Sequence, residues 1–212
     1  GGSLPRQEAM ALAEGQDGTI WVATQGGGVA AFSGGAWTWY STKDGLPSDE
    51  ITSLMVDRSG RVWATPTKGG LAMFDGERWR RFGRDDGLSS GEIGRCAALR
   101  DGDVLCGTYE HPVLQRYDGT RWTQLVVDAP ASRHFYVHAL LETRDRQLWL
   151  ATKGAKTVRG VPDGRGGYTW TVHDRTRGLG SDRVGAIEQT RDGAVWVGTS
   201  AGASRHDGTG WT

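Results

Sequence analysis

Five short apolar runs recur along the chain, and each predicts a strand that is buried on both faces. They read IWVAT, VWATP, VLCGT, LWLAT and VWVGT. None of the runs alternates apolar with polar residues, as a strand with one solvated face would. Their anchor residues lie 42, 42, 44 and 47 positions apart, and they are Trp21, Trp63, Leu105, Trp149 and Trp196.

A tryptophan follows each run as a second anchor, and turn residues stand before both anchors. The second anchors are Trp37, Trp79, Trp122, Trp170 and Trp211. All but one of the turns, that at Arg146, carry an Asp-Gly or Ser-Gly pair, in which glycine supplies the positive φ that tight hairpins need. Each unit therefore predicts four antiparallel strands joined by hairpins.

A repeat of about 40–50 residues with four strands per unit is typical of a propeller blade. The sequence therefore predicts an all-β fold, a five-bladed β-propeller with four antiparallel strands per blade. The expected blades of this single domain are residues 4–45, 46–87, 88–131, 132–178 and 179–212. Residues 1–3 resemble a remnant of an expression vector, so we expect the natural N-terminus to lie elsewhere.

Closure of the ring is the next expectation, because a blade can bury its faces only against a neighbour. The segment GSLPRQEAM aligns with a first strand, and the final DGTGWT aligns with the start of a fourth strand. We therefore expect blade five to be built from residues 182–212, with a short, frayed outer strand around Trp211. Blades one and five would then close the ring by side-chain packing without a shared sheet.

The repeat as a whole, with its Trp-x-x-Thr and Gly-Gly pairs and a following DGLP, resembles the two-component-regulator propeller repeat. That repeat is similar to the sensor propellers found upstream of bacterial histidine kinases. The third unit departs from it at Leu105 and at YEHP, and the fourth departs at Arg146 and in a long loop before Trp170. The resemblance implies a packing motif that carries no catalytic residues.

Composition narrows the classes of function. Lys plus Arg and Asp plus Glu each number 25, so the formal net charge is zero and nothing steers the chain towards nucleic acid. No run of eighteen apolar residues is present, so we expect no membrane insertion. The compartment stays open: periplasmic if the chain is part of a membrane sensor, and cytoplasmic otherwise.

Two sets of residues are candidates for a binding site near the central channel, which first strands line by propeller convention. The first set stands thirteen residues before each anchor and would circle the channel mouth: Glu8, Glu50, Glu92, Tyr136 and Arg183. The second set lies in a variable loop on the same rim, where function is often found: Tyr109, Glu110 and His111. Solvated loop residues or a structural ion-pair ring are the alternative interpretations of these sets.

The remaining chemistry-bearing residues give weaker signals. His134 and His138 would share one face of a strand, and with His111 they could approach a metal, but no metal-binding motif supports this. Cys96 and Cys106 replace aliphatic residues of other units, so we expect buried, reduced thiols. We expect no catalytic residue, no metal and no cofactor.

These observations predict a non-catalytic ligand-binding or sensory β-propeller domain of a bacterial signalling protein. Its partner would be a small molecule or a glycan. The alternatives are a protein–protein interaction scaffold that uses one propeller face, or a fragment or engineered piece of a larger propeller. An enzyme is the least favoured class.

Overall fold

The computed structural model describes residues 7–109, 112–129, 135–153 and 156–212, and it consists of five separate antiparallel sheets. Strands follow one another in chain order within every sheet, and the sheets have four, four, four, four and three strands. The first two sheets contain β1 (Ala9–Glu14), β2 (Ile20–Thr24), β3 (Gly28–Ser33), β4 (Ala36–Tyr40), β5 (Ile51–Val56), β6 (Val62–Pro66), β7 (Leu71–Phe74) and β8 (Trp79–Phe82). The others contain β9 (Ile93–Ala98), β10 (Val104–Thr108), β11 (Val113–Tyr117), β12 (Trp122–Val126), β13 (Tyr136–Glu142), β14 (Leu148–Lys153), β15 (Lys156–Pro162), β16 (Tyr168–His173), β17 (Val184–Gln189), β18 (Val195–Thr199) and β19 (Gly202–His206).

The threonine that ends four of the five apolar runs ties the following turn. Thr24 Oγ1 donates a hydrogen bond to the carbonyl of Gly28 at 3.0 Å, and Thr152 Oγ1 donates to the carbonyl of Lys156 at 3.2 Å. Both threonines are buried. Because a buried hydroxyl needs a partner, this bond both satisfies the side chain and fixes the hairpin.

The Asp-Gly-Leu links between sheets form one turn of 3-10 helix where the sequence predicts a plain loop. Thr42–Asp44 is followed by Gly45, which has a φ of 107°. A Cβ at Gly45 would lie 2.8 Å from the carbonyl oxygen of Trp79 in the next sheet. Position 45 therefore requires glycine for two reasons, the left-handed backbone conformation and the close approach of the Trp79 carbonyl oxygen. The adjoining Leu46 is fully buried in the core.

The chain divides into two compact units, Gly1–Leu105 with Arg116–Thr123, and Cys106–Gln115 with Gln124–Thr212. In the first unit, the Trp21 ring lies 5.3 Å from the ring of Phe74 and 6.2 Å from that of Trp79, both in the next sheet. In the second, Trp149 lies 5.2 Å from the ring of His206 and 5.9 Å from that of Trp211. An anchor tryptophan inserted between two rings of the next sheet is thus a repeated contact.

The last anchor differs from the others in exposure. Trp196 is 39% exposed, whereas Trp149 is 1% exposed, so the prediction that second-strand tryptophans are buried holds for Trp21, Trp63 and Trp149 and is wrong for Trp196. On the first sheet, Phe32 is 37% exposed, whereas its counterpart Phe74 is 9% exposed. These two sheets therefore each leave large apolar side chains open to solvent.

The fifth sheet has the short outer strand that the sequence predicts. It contains three full strands, and only an isolated bridge joins His206 to Trp211. Arg205 and Thr212 exchange two backbone hydrogen bonds of 2.7 and 2.8 Å beside that bridge. Among the residues that the structure describes, the N-terminal strand β1 belongs to the first sheet and does not complete the fifth.

The expectation of reduced cysteines is wrong. Cys96 on β9 and Cys106 on β10 are joined by a disulfide, and the described residues include no free cysteine. In the second sheet the residues at the same two places, Leu54 and Ala64, face each other directly across β5 and β6. Facing residues on paired strands are close enough for a disulfide, so the aliphatic pairs of other sheets mark the geometry that the cysteines use.

Candidate functional site

The loop after a second strand is hydrogen-bonded to the segment that precedes the first strand of the next sheet. In the first unit, the amides of Gly26 and Gly28 donate to the carbonyl of Asp49 at 3.0 and 2.8 Å. One sheet further on, the amide of Gly70 donates to the carbonyl of Gly91 at 2.9 Å. These backbone bonds hold the variable loops against the start of the neighbouring sheet.

Three members of the predicted channel-mouth set accept equivalent backbone hydrogen bonds, two in the first unit and one in the second. The carbonyls of Glu8, Glu50 and Arg183 accept hydrogen bonds from the residues that follow the second strands, at 3.0, 3.1 and 2.9 Å. All three side chains belong to exposed residues. The Glu50 carboxylate accepts a hydrogen bond from Thr67 Oγ1 at 3.0 Å. Glu92 is half-buried, and its amide donates to Ser90 Oγ.

Tyr136 and Tyr109, one from each predicted set, form a stacked pair in the second unit. Their ring centroids are 4.1 Å apart with an interplanar angle of 25°, and their hydroxyls are 3.1 Å apart. Both residues are half-buried. The pair presents aromatic ring surface beside two hydroxyls, a combination that suits a ligand with one apolar and one polar face.

His138 stands beside this pair and is held by the backbone. The pairing of β13 with β14 shifts register between Val137 and Ala139, so His138 lies at a β-bulge. Bulges re-aim side chains and occur often near functional sites. The His138 Nε2 lies 2.5 Å from the carbonyl of Val184, and its ring lies 5.7 Å from that of Tyr136. This contact connects His138 on β13 to the first residue of β17, in the next sheet.

Glu110, His111 and His134 lie outside the described residues, so the predicted rim loop is represented here by Tyr109 alone. Within the described part of the chain, no group of three or more His, Cys, Asp or Glu side chains is arranged to hold a metal ion. In the same part of the chain, no helix is both long and apolar enough to cross a bilayer.

Two equivalent cavities at the opposite ends of the strands were not predicted from the sequence. One, of about 250 Å³, is lined by Gly15, Trp21 and Phe74 in the first unit. The other, of about 140 Å³, is lined by Thr143, Trp149 and other residues of the second unit. Each opens beside the turn between a first and a second strand, at the edge of an anchor tryptophan.

Comparison with known families matches two segments of the chain. The two-component regulator propeller repeat matches residues 45–66 and 178–201, which include two of the Gly-Leu links and two of the apolar runs. No curated protein sequence matches the chain.

Several solved structures share the fold. The extracellular domain of a hybrid two-component system from B. thetaiotaomicron matches with a TM-score of 0.79 and 16% identity, over 98% of this chain and 29% of that one. The extracellular domain of a one-component system from the same organism matches with a TM-score of 0.73 and 17% identity, over 96% and 28% of the two chains. The present chain thus spans under a third of these proteins.

An enzyme is also among the similar structures. A catalytically inactive variant of virginiamycin B lyase from Staphylococcus aureus, solved with quinupristin, matches with a TM-score of 0.75 and 15% identity. The match covers 99% of this chain and 71% of the lyase. At such identities the likeness extends to the fold alone.

Proposed function

Because this chain carries repeats of the two-component regulator propeller family, we propose that it is a non-catalytic, ligand-binding sensory domain of a bacterial signalling protein. The five sheets act in this proposal as five blades of one propeller, and a crystal structure tests that count. Similarity in fold to extracellular domains of bacterial signalling systems supports the sensory role.

The stacked pair of Tyr109 and Tyr136 is the observation that carries the ligand-binding proposal. Ring faces and hydroxyls that are half exposed on a rim of variable loops suit a sugar ring or a small amphipathic molecule. We therefore assign the ligand to the class of glycans and similar hydroxyl-rich small molecules. Glu8, Glu50, Glu92 and Arg183 remain candidates for polar contacts on the rim.

A glycan array followed by titration of the best ligand tests this assignment. Tyr109→Ala removes one ring of the pair, and we expect binding to weaken by about tenfold or more, since stacking of a ring on an aromatic side chain is worth about 1–3 kcal/mol. Trp39→Ala is the matched control, because Trp39 is an exposed aromatic residue on β4, outside the rim. Equal affinities of the two variants would contradict the assignment.

The disulfide between Cys96 and Cys106 supports an oxidising compartment for the domain. Structural disulfides persist outside the cytosol and are rare inside it. We therefore place the domain on the extracytoplasmic side of the membrane. Thiol labelling of the protein after expression in the native host tests this, and labelling of both cysteines in freshly lysed cells would contradict it.

The alternative function is a protein–protein interaction scaffold. A scaffold would bind a protein partner whether or not Tyr109 is present, so the Tyr109→Ala variant also separates the two functions. Loss of glycan binding in this variant supports the sensor. Retention of a protein partner, with no glycan bound by the unmodified chain, supports the scaffold.

A further inference from the structure

The cavity of about 140 Å³ lies in the second unit, at the end of the fourth sheet opposite to Tyr136. Its walls include Thr143 and Gln147 from the turn between β13 and β14, Trp149 and Arg159 from the strands, and His206 from β19. The second sheet has the same turn and the same anchor tryptophan. Comparison of the two sheets shows what the fourth one lacks.

In the second sheet, a buried carboxylate satisfies the tryptophan. Asp57 Oδ2 accepts a hydrogen bond of 2.8 Å from Trp63 Nε1 and one of 2.6 Å from Arg61 Nε. Asp57 Oδ1 accepts from the amide of Arg61 at 3.0 Å. One carboxylate oxygen therefore closes the turn, while the other joins the indole to a guanidinium.

In the fourth sheet, Thr143 stands at the place of Asp57 and Gln147 at the place of Arg61. The equivalence is fixed by the turn bond, since the amide of Asp57 donates to Arg61 and that of Thr143 donates to Gln147, both at 2.9 Å. Thr143 Oγ1 accepts from the amide of Gln147 at 3.0 Å and so replaces the oxygen that closes the turn. Among the described residues, no side-chain atom replaces the other one as an acceptor for the indole, because the Asp145 carboxylate of the same turn accepts from Thr143 Oγ1 and Gln147 Nε2 instead.

Trp149 consequently has an indole N–H without an acceptor. The residue is 1% exposed, and its Nε1 has no hydrogen-bond partner among the described protein atoms. The equivalent atom Trp63 Nε1 donates to Asp57, and Trp21 Nε1 lies 3.4 Å from the position that a Cβ on Gly15 would occupy. In this repeat the indole N–H is thus directed at the turn, where the cavity lies. A buried donor left unpaired costs about 1–3 kcal/mol.

Arg159 is a charged donor beside Trp149 that has a neutral acceptor but no carboxylate partner. Its guanidinium carbon lies 5.5 Å from the centroid of the Trp149 ring, and its Nε donates to Gln147 Oε1 at 2.7 Å. At the same strand position, Arg205 lies 3.2 Å from a carboxylate oxygen of Asp192, and Arg116 lies 2.6 Å from one of Asp103. Within the described ranges, Arg159 has no carboxylate within 4 Å.

Two histidines add further N–H groups around Trp149. His173 Nδ1 accepts from Trp211 Nε1, and His206 Nδ1 accepts from the amide of Gly208, both at 3.1 Å. Each neutral ring therefore carries its proton on Nε2. Burial is the main cause that lowers the pKa of His173 to about 4 and also lowers that of His206, so both rings are neutral at pH 7. The surroundings of the cavity are rich in donors.

We propose that this cavity binds a small monocarboxylate, one oxygen of which accepts from Trp149 Nε1 while the group pairs with Arg159. The bound carboxylate takes the place that the Asp57 side chain fills in the second sheet. Arg159 can neutralise one negative charge on the ligand, whereas Asp145 and Asp207 also line the cavity and would repel a second one. The site is separate from the tyrosine pair, and the proposal does not depend on the function assigned to that pair.

Titration with sodium acetate, against sodium chloride at constant ionic strength, tests the proposal in the full chain. The observables are the indole N–H resonances in an NMR spectrum and the thermal midpoint. We expect one indole resonance to shift and saturate, together with a rise in the midpoint. No response at about 0.1 M acetate, where screening by salt is already strong, would overturn the proposal.

Two substitutions borrowed from the second sheet sharpen the test. Thr143→Asp restores the carboxylate, so the variant should be more stable without acetate and should no longer respond to it. Arg159→Met introduces the residue that Met73 supplies opposite Trp63, and acetate should bind about tenfold more weakly or worse, the usual effect of losing a charged hydrogen bond. Arg116→Met is the matched control and should respond to acetate as the unmodified chain does.

The remaining outcomes also decide the matter. If Thr143→Asp fails to fold, the comparison of Arg159→Met with Arg116→Met still gives the answer, and equal affinities in that comparison would overturn the proposal. Sodium sulfate should bind more weakly than acetate because of its second charge. Sulfate binding as tight as that of acetate would overturn the assignment to monocarboxylates.

Discussion

Arg146 holds a backbone conformation that the other repeats give to glycine. Its φ is 67°, and the equivalent Gly60 and Gly193 have φ values of 81° and 92°. A left-handed conformation costs an ordinary residue about 1–2 kcal/mol. The Arg146 Nε lies 3.2 Å from Oε1 of Glu142, a carboxylate that is almost fully buried. An ion pair to a buried charge thus accounts for an arginine in a glycine position.

Trp149→Ala should lower the free energy of unfolding by about 3–5 kcal/mol, the usual cost of removing a large buried aromatic residue. The matched control is Trp196→Ala, because Trp196 is the same anchor in the next sheet but is 39% exposed. Its cost should be less than half as large. Urea unfolding followed by circular dichroism measures both, and equal losses would show that the Trp149 contacts do not carry this stability.

The buried His173 should make stability depend on pH between about 4 and 6.5. Burial lowers the pKa of His173 to about 4 in the folded chain, so only the unfolded chain takes up the proton in this interval. The free energy of unfolding should therefore fall as the pH decreases from 6.5 to 4, by at most about 3 kcal/mol. Urea midpoints measured across this range test the dependence.

A variant taken from the second sheet provides the control. His173→Phe inserts the ring of Phe82, which stacks on Trp63 as His173 stacks on Trp149. The variant should lose most of the dependence between pH 4 and 6.5, and His206 accounts for the rest. The pKa of the Asp174 carboxylate is also lowered, mainly by the hydrogen bond from Lys156. This shift changes stability only at pH values below the usual aspartate pKa, outside the interval between pH 4 and 6.5. An unchanged pH profile in His173→Phe would refute the assignment.

At the scale of strands and turns, the sequence predicts most of what the structure contains. The apolar runs and the Asp-Gly turns predict β2, β6, β10, β14 and β18 and their hairpins. Each cysteine taken alone replaces an aliphatic residue of the other repeats, so neither position by itself indicates the disulfide. Their places, ten residues apart, are occupied elsewhere by facing pairs such as Leu54 and Ala64. The disulfide is indicated only when both cysteines are placed in the register of the hairpin, where the repeat shows that their positions face each other.

Replacing the disulfide by the pair of the second sheet tests its contribution to stability. Cys96→Leu with Cys106→Ala keeps an apolar pair in the hairpin but removes the covalent link. The free energy of unfolding should fall by about 2–3 kcal/mol, the entropy expected for a closed loop of this length. Adding a reducing agent should destabilise the unmodified chain and leave the double variant unchanged. Equal effects of reduction on both would contradict this.

The candidate sites could be predicted only in part. The variable loops after the second strands indicate where Tyr109 lies, and the fold brings Tyr109 together with Tyr136, which belongs to the other predicted set. The cavity beside Trp149 was not found, since Thr143 and Gln147 are ordinary turn residues in isolation. Thr143 indicates a missing acceptor only when it is compared with Asp57, whose carboxylate accepts the hydrogen bond of the Trp63 indole.

At the scale of the whole molecule, zero net charge combines with apolar side chains that face solvent. Phe32 and Trp196 are exposed on the first and last sheets, and such surface favours association. The double variant Phe32→Lys with Trp196→Lys should therefore be more soluble, as measured by the protein concentration left after centrifugation. Its unfolding midpoint should fall less than that of Trp149→Ala, because both substituted positions are partly exposed.

Phe74→Lys serves as the control for that double variant. Phe74 is the counterpart of Phe32 but packs against Trp21 in the core. A lysine there should unfold the first unit and should not improve solubility. Equal solubility of the unmodified chain and the double variant would mean that the exposed apolar residues do not govern association.

The disulfide also changes what a single break in the polypeptide does. Cys96 and Cys106 lie on either side of the turn between β9 and β10, which contains the exposed Arg100. A protease that cuts there produces two pieces of nearly equal length, and each piece keeps one cysteine. The pieces would migrate as one band on a gel until a reductant separates them. Near the middle of the sequence, the peptide backbone and the disulfide therefore both connect the two halves of the chain.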